Sequence, residues 1–100
     1  MAVRLSLSKE AERDIDQIVD YVAVENPAAA KVLAERIERI LRLLAERPYM
    51  GPPAPETGRR DMRRMSMPPY IVFCRVGLDS VGVARVLHSS RCIEDDELFD

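Results

Sequence analysis

Two stretches of this chain repeat one apolar spacing, and that repetition constrains the fold more than any other feature. Ala11, Ile15, Ile18, Val19 and Val22 fall at offsets 0, 4, 7, 8 and 11, and Leu33, Ile37, Ile40, Leu41 and Leu44 fall at the same offsets. Each set traces one face of an α-helix. Asp14, Asp16, Gln17 and Asp20 lie largely off the first stripe, and Glu35, Arg36, Glu38, Arg39 and Arg42 fill the other side of the second. Ser8 is placed to cap the first helix, with Glu10 and Glu12 at the positive end of its dipole. Asn26-Pro27 ends one helix and starts the next, because Asn caps and Pro at the first helical position gives up only an unpartnered donor. So short a connection forces an antiparallel helical hairpin. Two matching stripes then imply that both helices rest on a common surface.

The flanking sequence supplies that surface as a sheet. Residues 2–7 alternate apolar and polar, as a half-buried strand does. Residues 48–58 hold four of the seven prolines and two of the four glycines, which marks a loop. In RRDMRRMSM, Arg63, Met65 and Met67 share one face of a strand, with Met62, Arg64 and Ser66 on the other. The three methionines suit either an adaptable binding surface or core packing under the hairpin. Pro68-Pro69 makes a turn, Tyr70–Val76 a strand, Gly77–Ser80 a turn and Val81–His88 a further strand. Three consecutive antiparallel strands form a meander. The fold class expected is α+β, in the order β-α-α-β-β-β, with the hairpin packed on a small, curved, mainly antiparallel sheet. At 100 residues the chain is expected to be a single domain, with an acidic tail over residues 93–100.

Charge is unevenly distributed. Arg59 to Arg91 holds seven arginines and two aspartates, a net of +5, whereas Ile93 to Asp100 holds five acids and no base. This can be a cationic site with its own counter-charge nearby, or a solvated strand face followed by a solubilising end. Cys74 and Cys92 are expected to stay reduced. Two thiols and one histidine are too few for a zinc site, and no metal or other cofactor is expected. No run approaches the ~18 apolar residues of a membrane span, and the first residues lack a secretory signal. A cytoplasmic location without membrane contact is expected.

At this point the residues resemble a known family. The chain looks like the ParE branch of the ParE/RelE toxin superfamily of bacterial type II toxin–antitoxin systems. The matching pieces are LSKEAERDIDQIVDYV (Leu7–Val22), ENPAAAKVLAERI (Glu25–Ile37), LAERPYMG (Leu44–Gly51), RRDMRRM (Arg59–Met65), YIVFCRV (Tyr70–Val76) and VARVLHSSR (Val83–Arg91). Together they cover roughly residues 3–92 in order and with family spacing. The resemblance implies a growth-arresting toxin, linked to plasmid stabilisation and held inactive by a cognate antitoxin. The implied target is DNA gyrase in ParE-like members and mRNA in the ribosomal A site in RelE-like members.

Residues decide between the two branches. RNA cleavage without a metal needs a base, a stabiliser of phosphorane charge and an acid. The RelE-like pattern carries over only in part. Arg64 and Arg91 fall on basic positions, but Met62 and Ile71 stand where a lysine and an arginine would be. No tyrosine or histidine follows Arg91, and Cys74 takes a position where tyrosine is common. An arginine is no general base at neutral pH, which leaves His88 as the one group titrating near neutrality. A histidine in that place is either structural or catalytic. The reading favoured is therefore binding rather than catalysis, with no catalytic residue; a nuclease would rely on Arg64, His88 and Arg91. Arg63, Arg64, His88 and Arg91 are assigned to the target. Ile18, Tyr21, Arg75 and Arg85 are assigned to the antitoxin, although Arg75 and Arg85 also suit pairing with acids from the helices. The partners expected are a ParD-like ribbon-helix-helix antitoxin in a hetero-oligomer and DNA gyrase as target, with no direct DNA binding. The alternatives are a ribosome-dependent mRNA endoribonuclease and a non-toxic binding module of the same fold.

Overall fold

The computed structural model describes residues 3–90. The elements run β1 (Arg4–Leu7), α1 (Lys9–Glu25), α2 (Pro27–Glu46), β2 (Met62–Met67), β3 (Tyr70–Val76) and β4 (Ser80–His88), with one 3-10 turn at Pro55–Thr57. The sheet order is β1-β4-β3-β2. β2, β3 and β4 form the antiparallel meander, and β1 adds to β4 in parallel. The sequence pattern left the neighbour of β1 open. The structure settles it: β1 is an edge strand beside β4, at the far side of the sheet from β2.

Capping follows the residues. Ser8 Oγ accepts from the Ala11 N–H at 3.0 Å and donates to the Ala84 carbonyl at 2.7 Å, so one hydroxyl starts α1 and ties it to β4. Asn26 ends α1 through its N–H to the Val22 carbonyl at 2.8 Å. Its Oδ1 caps α2 by accepting from the Ala29 N–H at 3.0 Å. Pro27 takes the first position of α2.

The helices lie against β1 and β4 rather than squarely over the sheet. The main core joins Ala11 and Leu44 to Val72, Cys74, Val81, Val83 and Val86, with Val3, Leu5 and Leu7 at its margin. Leu33 and Ile37 meet Met67 in a second cluster that leaves Ile18, Val19 and Val22 half-buried. On the opposite face Met62, Phe73 and Leu87 pack with Ala54 from the loop before β2. The methionines therefore divide: Met65 and Met67 sit on the hairpin side, Met62 under the loop.

A β-bulge explains the phase of β4. Phe73 pairs with Arg85 but Cys74 pairs with Val83, so Ala84 is an extra residue. The added residue lets Val81, Val83 and Val86 all face the core. Arg85, next after the extra residue, reaches α1. Arg85 Nε and Nη2 donate to the two oxygens of Asp14 at 2.7 and 3.0 Å, and the Val86 N–H donates to Asp14 Oδ2 at 3.0 Å. Asp14, expected off the buried stripe, is only 8% exposed. Helical periodicity ranked it by polarity and missed the guanidinium that solvates it. The hydrogen bond to Asp14 raises the Arg85 pKa further above its ordinary value.

Removing one member of a buried pair leaves the other charge uncompensated, at a cost of about 3 kcal/mol or more. Asp14→Ala is expected to lower the urea midpoint accordingly with little change in slope, whereas the double change Asp14→Leu, Arg85→Met is expected to cost less. Burial pushes the Cys74 thiol up to about 11, with Arg63 pulling weakly the other way. The folded state thus favours the protonated thiol, and stability that is intact below pH 9.0 falls as pH rises toward 11. Cys74→Ala should flatten that decline in pH-dependent denaturation.

Candidate functional site

The arginines are brought near one sheet, but most are held by the chain itself. β2 presents Arg63 and Arg64 to opposite faces. Arg63 Nη1 donates to the Gly51 carbonyl at 2.7 Å, and its guanidinium lies 4.8 Å from the Tyr49 ring centroid. Such stacking on an aromatic face is a favourable cation–π contact. Arg64 is ion-paired with Glu56 of the same loop. The loop backbone joins in: the Ala54 N–H donates to the Met62 carbonyl and the Arg64 N–H to the Pro52 carbonyl, each at 3.0 Å. Residues 52–54 therefore act as a short extra strand on the first half of β2, and the free part of that edge is Met65–Met67.

Gly51 makes this possible. A Cβ there would lie 2.1 Å from the Arg64 carbonyl oxygen. Tyr49, Gly51 and Glu56 carry the clamp, and composition alone could not reveal it. The only signal was a glycine between an aromatic residue and two prolines.

Arg75 reaches Asp61 at 3.0 Å, with both side chains about half exposed. Its expected partner was an acid from the helices; the one it finds is in the segment before β2. Arg85 does meet a helix acid, Asp14, and little of its side chain remains exposed. Arg75 and Arg85 both line a cleft of about 510 Å³ that reaches the start of α1. Ser6, Gly82 and Ala84 form part of its lining, and Glu10 and Asp61 add carboxylates.

His88 lies elsewhere. Register sets it level with Tyr70 and Met67, whereas Arg64 is level with Phe73 and Arg85. Two strands and three residues separate His88 from Arg64, roughly 14 Å in the sheet lattice. Arg64 belongs to the open face, and His88 alternates with Leu87 onto the hairpin side. The His88 ring packs edge-on against Tyr70 at 5.6 Å, and its Nδ1 accepts from the Ser90 N–H at 3.1 Å. The Ser90 Oγ lies 2.7 Å from the same nitrogen. Arg91, assigned to the target by sequence, lies outside the described residues, as do Cys92 and the acidic tail. On α1, Ile18 is half-buried and Tyr21 is 82% exposed, with Val24 and Val32 exposed near the hairpin tip. Among the described residues no group of three or more His, Cys, Asp or Glu side chains is placed to hold a metal. No described helix is long and apolar enough to cross a membrane.

The family model described as "ParE toxin of type II toxin-antitoxin system, parDE" matches residues 5–92. The chain belongs to this family. Its fold is shared with solved toxin–antitoxin systems. A chain of the chromosomal ParDE system from P. aeruginosa superposes with a TM-score of 0.73 at 20% identity, over 87% of this chain and 96% of that one. A chain of the RelBE2 toxin–antitoxin complex from Mycobacterium tuberculosis gives 0.62 at 20% identity, over 88% and 92%. Identities this low establish the architecture common to ParE-like and RelE-like chains and leave the target to the residues. Comparison with curated proteins gives no sequence match.

Gly51→Ala is expected to detach residues 52–54 from β2. Amide exchange at Ala54 and Arg64 should rise by about ten-fold or more while the Ala11–Val83 core keeps its protection. Arg63→Ala should have the same signature more weakly, since it keeps the backbone pairing.

Proposed function

We propose that this chain is the toxin of a type II toxin–antitoxin pair, acts by binding DNA gyrase, and is neutralised by a ParD-like antitoxin. The family match over residues 5–92 carries the toxin reading. The binding mode is supported by the separation of Arg64 from His88, the two described groups that a nuclease would need together. General acid–base transfer requires hydrogen-bond reach to one substrate position, and these side chains lie on opposite faces of the sheet. Arg64 is further engaged by Glu56, and the His88 Nδ1 by Ser90. A toxin of this kind works in the cytoplasm.

The antitoxin surface proposed is the flank of the hairpin. On that flank Ile18, Val19 and Val22 are half-buried and pack, with Tyr70, against the cluster of Leu33, Ile37 and Met67. An amphipathic helix can lay its own apolar stripe along such a helical face. Tyr21 and Val24 extend the same apolar surface toward the tip. Arg75, half exposed, is available to an antitoxin acid, whereas Arg85 serves mainly to hold α1.

Purified chain added to a gyrase supercoiling reaction is expected to block supercoiling and accumulate cleaved DNA. An unaffected reaction, together with mRNA cut on programmed ribosomes and abolished by His88→Ala, would replace this reading by the endoribonuclease one. Tyr21→Glu is expected to weaken antitoxin binding about ten-fold, near 1.4 kcal/mol. Thermal stability should be unchanged, because the side chain is exposed.

A further inference from the structure

None of the residues that line the cleft between Arg75 and Arg85 belongs to the hairpin flank. Its volume, about 510 Å³, falls in the range of small-molecule sites. Register puts Arg75, Gly82 and Ser6 in one row across β3, β4 and β1. Alternation sets this row on the side of the sheet away from Val81 and Val83, which lie in the core. Gly82 leaves the middle of the row without a side chain; a Cβ there would meet only Ser6 Oγ, at 3.4 Å.

Charged groups flank that floor on both sides. Toward β2, Arg75 is paired with Asp61, both about half exposed. Beyond that contact the Arg75 guanidinium makes no hydrogen bond to the described residues. Toward α1, Arg85 commits Nε and Nη2 to Asp14. Glu10 lines this side as well and is in no ion pair among the described residues. Each arginine is thus matched by one carboxylate, and Glu10 is the uncompensated charge of the lining. A polyanion is disfavoured there, whereas a ligand ammonium is attracted to Glu10. On the other side the spare N–H groups of Arg75 suit a carboxylate.

We propose that the cleft binds a short peptide with both ends free, its ammonium at Glu10 and its carboxylate at Arg75. Span and shape agree. β1, which leads into α1 and Glu10, and β3, which carries Arg75, lie two strand spacings apart, roughly 9.6 Å. An extended tripeptide reaches about 10 Å between its end groups. Its backbone crosses the sheet over Gly82, where no side chain stands in the way. The hydroxyls of Ser6 and Ser80 lie in the same lining and offer a donor and acceptors to its amides. The proposal is independent of which cellular target the chain acts on.

Titration of trialanine into the full, isotope-labelled chain at low ionic strength tests it. The amide signals of Gly77, Gly82 and Ala84 are expected to shift saturably, while those of Val24 and Val32 at the hairpin tip stay in place. Acetylating the peptide removes its ammonium and amidating it removes its carboxylate; each change is expected to weaken binding about ten-fold. Glu10→Gln should abolish only the loss on acetylation, and Arg75→Gln only the loss on amidation. Both side chains are exposed, and unchanged signals from the core report an intact fold. The absence of a saturable shift at these amides, or equal affinity for the three peptides, overturns the proposal. Persistence of both losses in either variant overturns it as well.

Discussion

The contact between Asp14 and β4 holds this small domain in register. One carboxylate takes both donors of the Arg85 fork and the backbone N–H of Val86. A buried carboxylate is tolerated because those three donors replace water. The contact fixes where α1 crosses β4, and Ser8 fixes the start of the same helix on Ala84. The bulge at Ala84 lies immediately before Arg85, beside this contact. Helix position, strand phase and the valine core beneath thus follow from one polar cluster.

A second constraint concerns the loop before β2. Arg63 and Arg64 point to opposite faces, yet both hold this loop, one through Gly51 and Tyr49, the other through Glu56. The result is a partly closed sheet edge, which limits edge-to-edge pairing. Arginines that look like a free cationic run in the sequence are for the most part structural ties. What remains exposed includes the hairpin flank around Tyr21 and Val24, the surface on which an antitoxin is proposed to act.

The placement of charge connects these surfaces to function. The binding mode proposed above needs no proton relay, only surfaces that can be taken and released. Exposed pairs such as Arg75–Asp61 suit that role because water screens them and a partner's carboxylate can take the place of Asp61. The buried Asp14–Arg85 pair suits the opposite role. The same residue type therefore serves exchange at the surface and permanence in the interior, and burial decides which.

Much of the fold was legible in the sequence. Local rules set the helices, their caps at Ser8 and Asn26, the meander and the shared strand face of Met65 and Met67, because periodicity and capping act within a few residues. The family resemblance, too, rested on ordered local pieces, and residues 5–92 match the family model. Tertiary structure alone placed β1 beside β4, buried Asp14, and separated His88 from Arg64. It alone turned Arg63 into a clamp on residues far from the strand's own neighbours. These outcomes depend on which groups meet in the folded chain, as with Asp14 and Arg85, 71 positions apart in sequence. A charge in isolation reads as surface; only the folded neighbourhood supplies the donors that let it be buried.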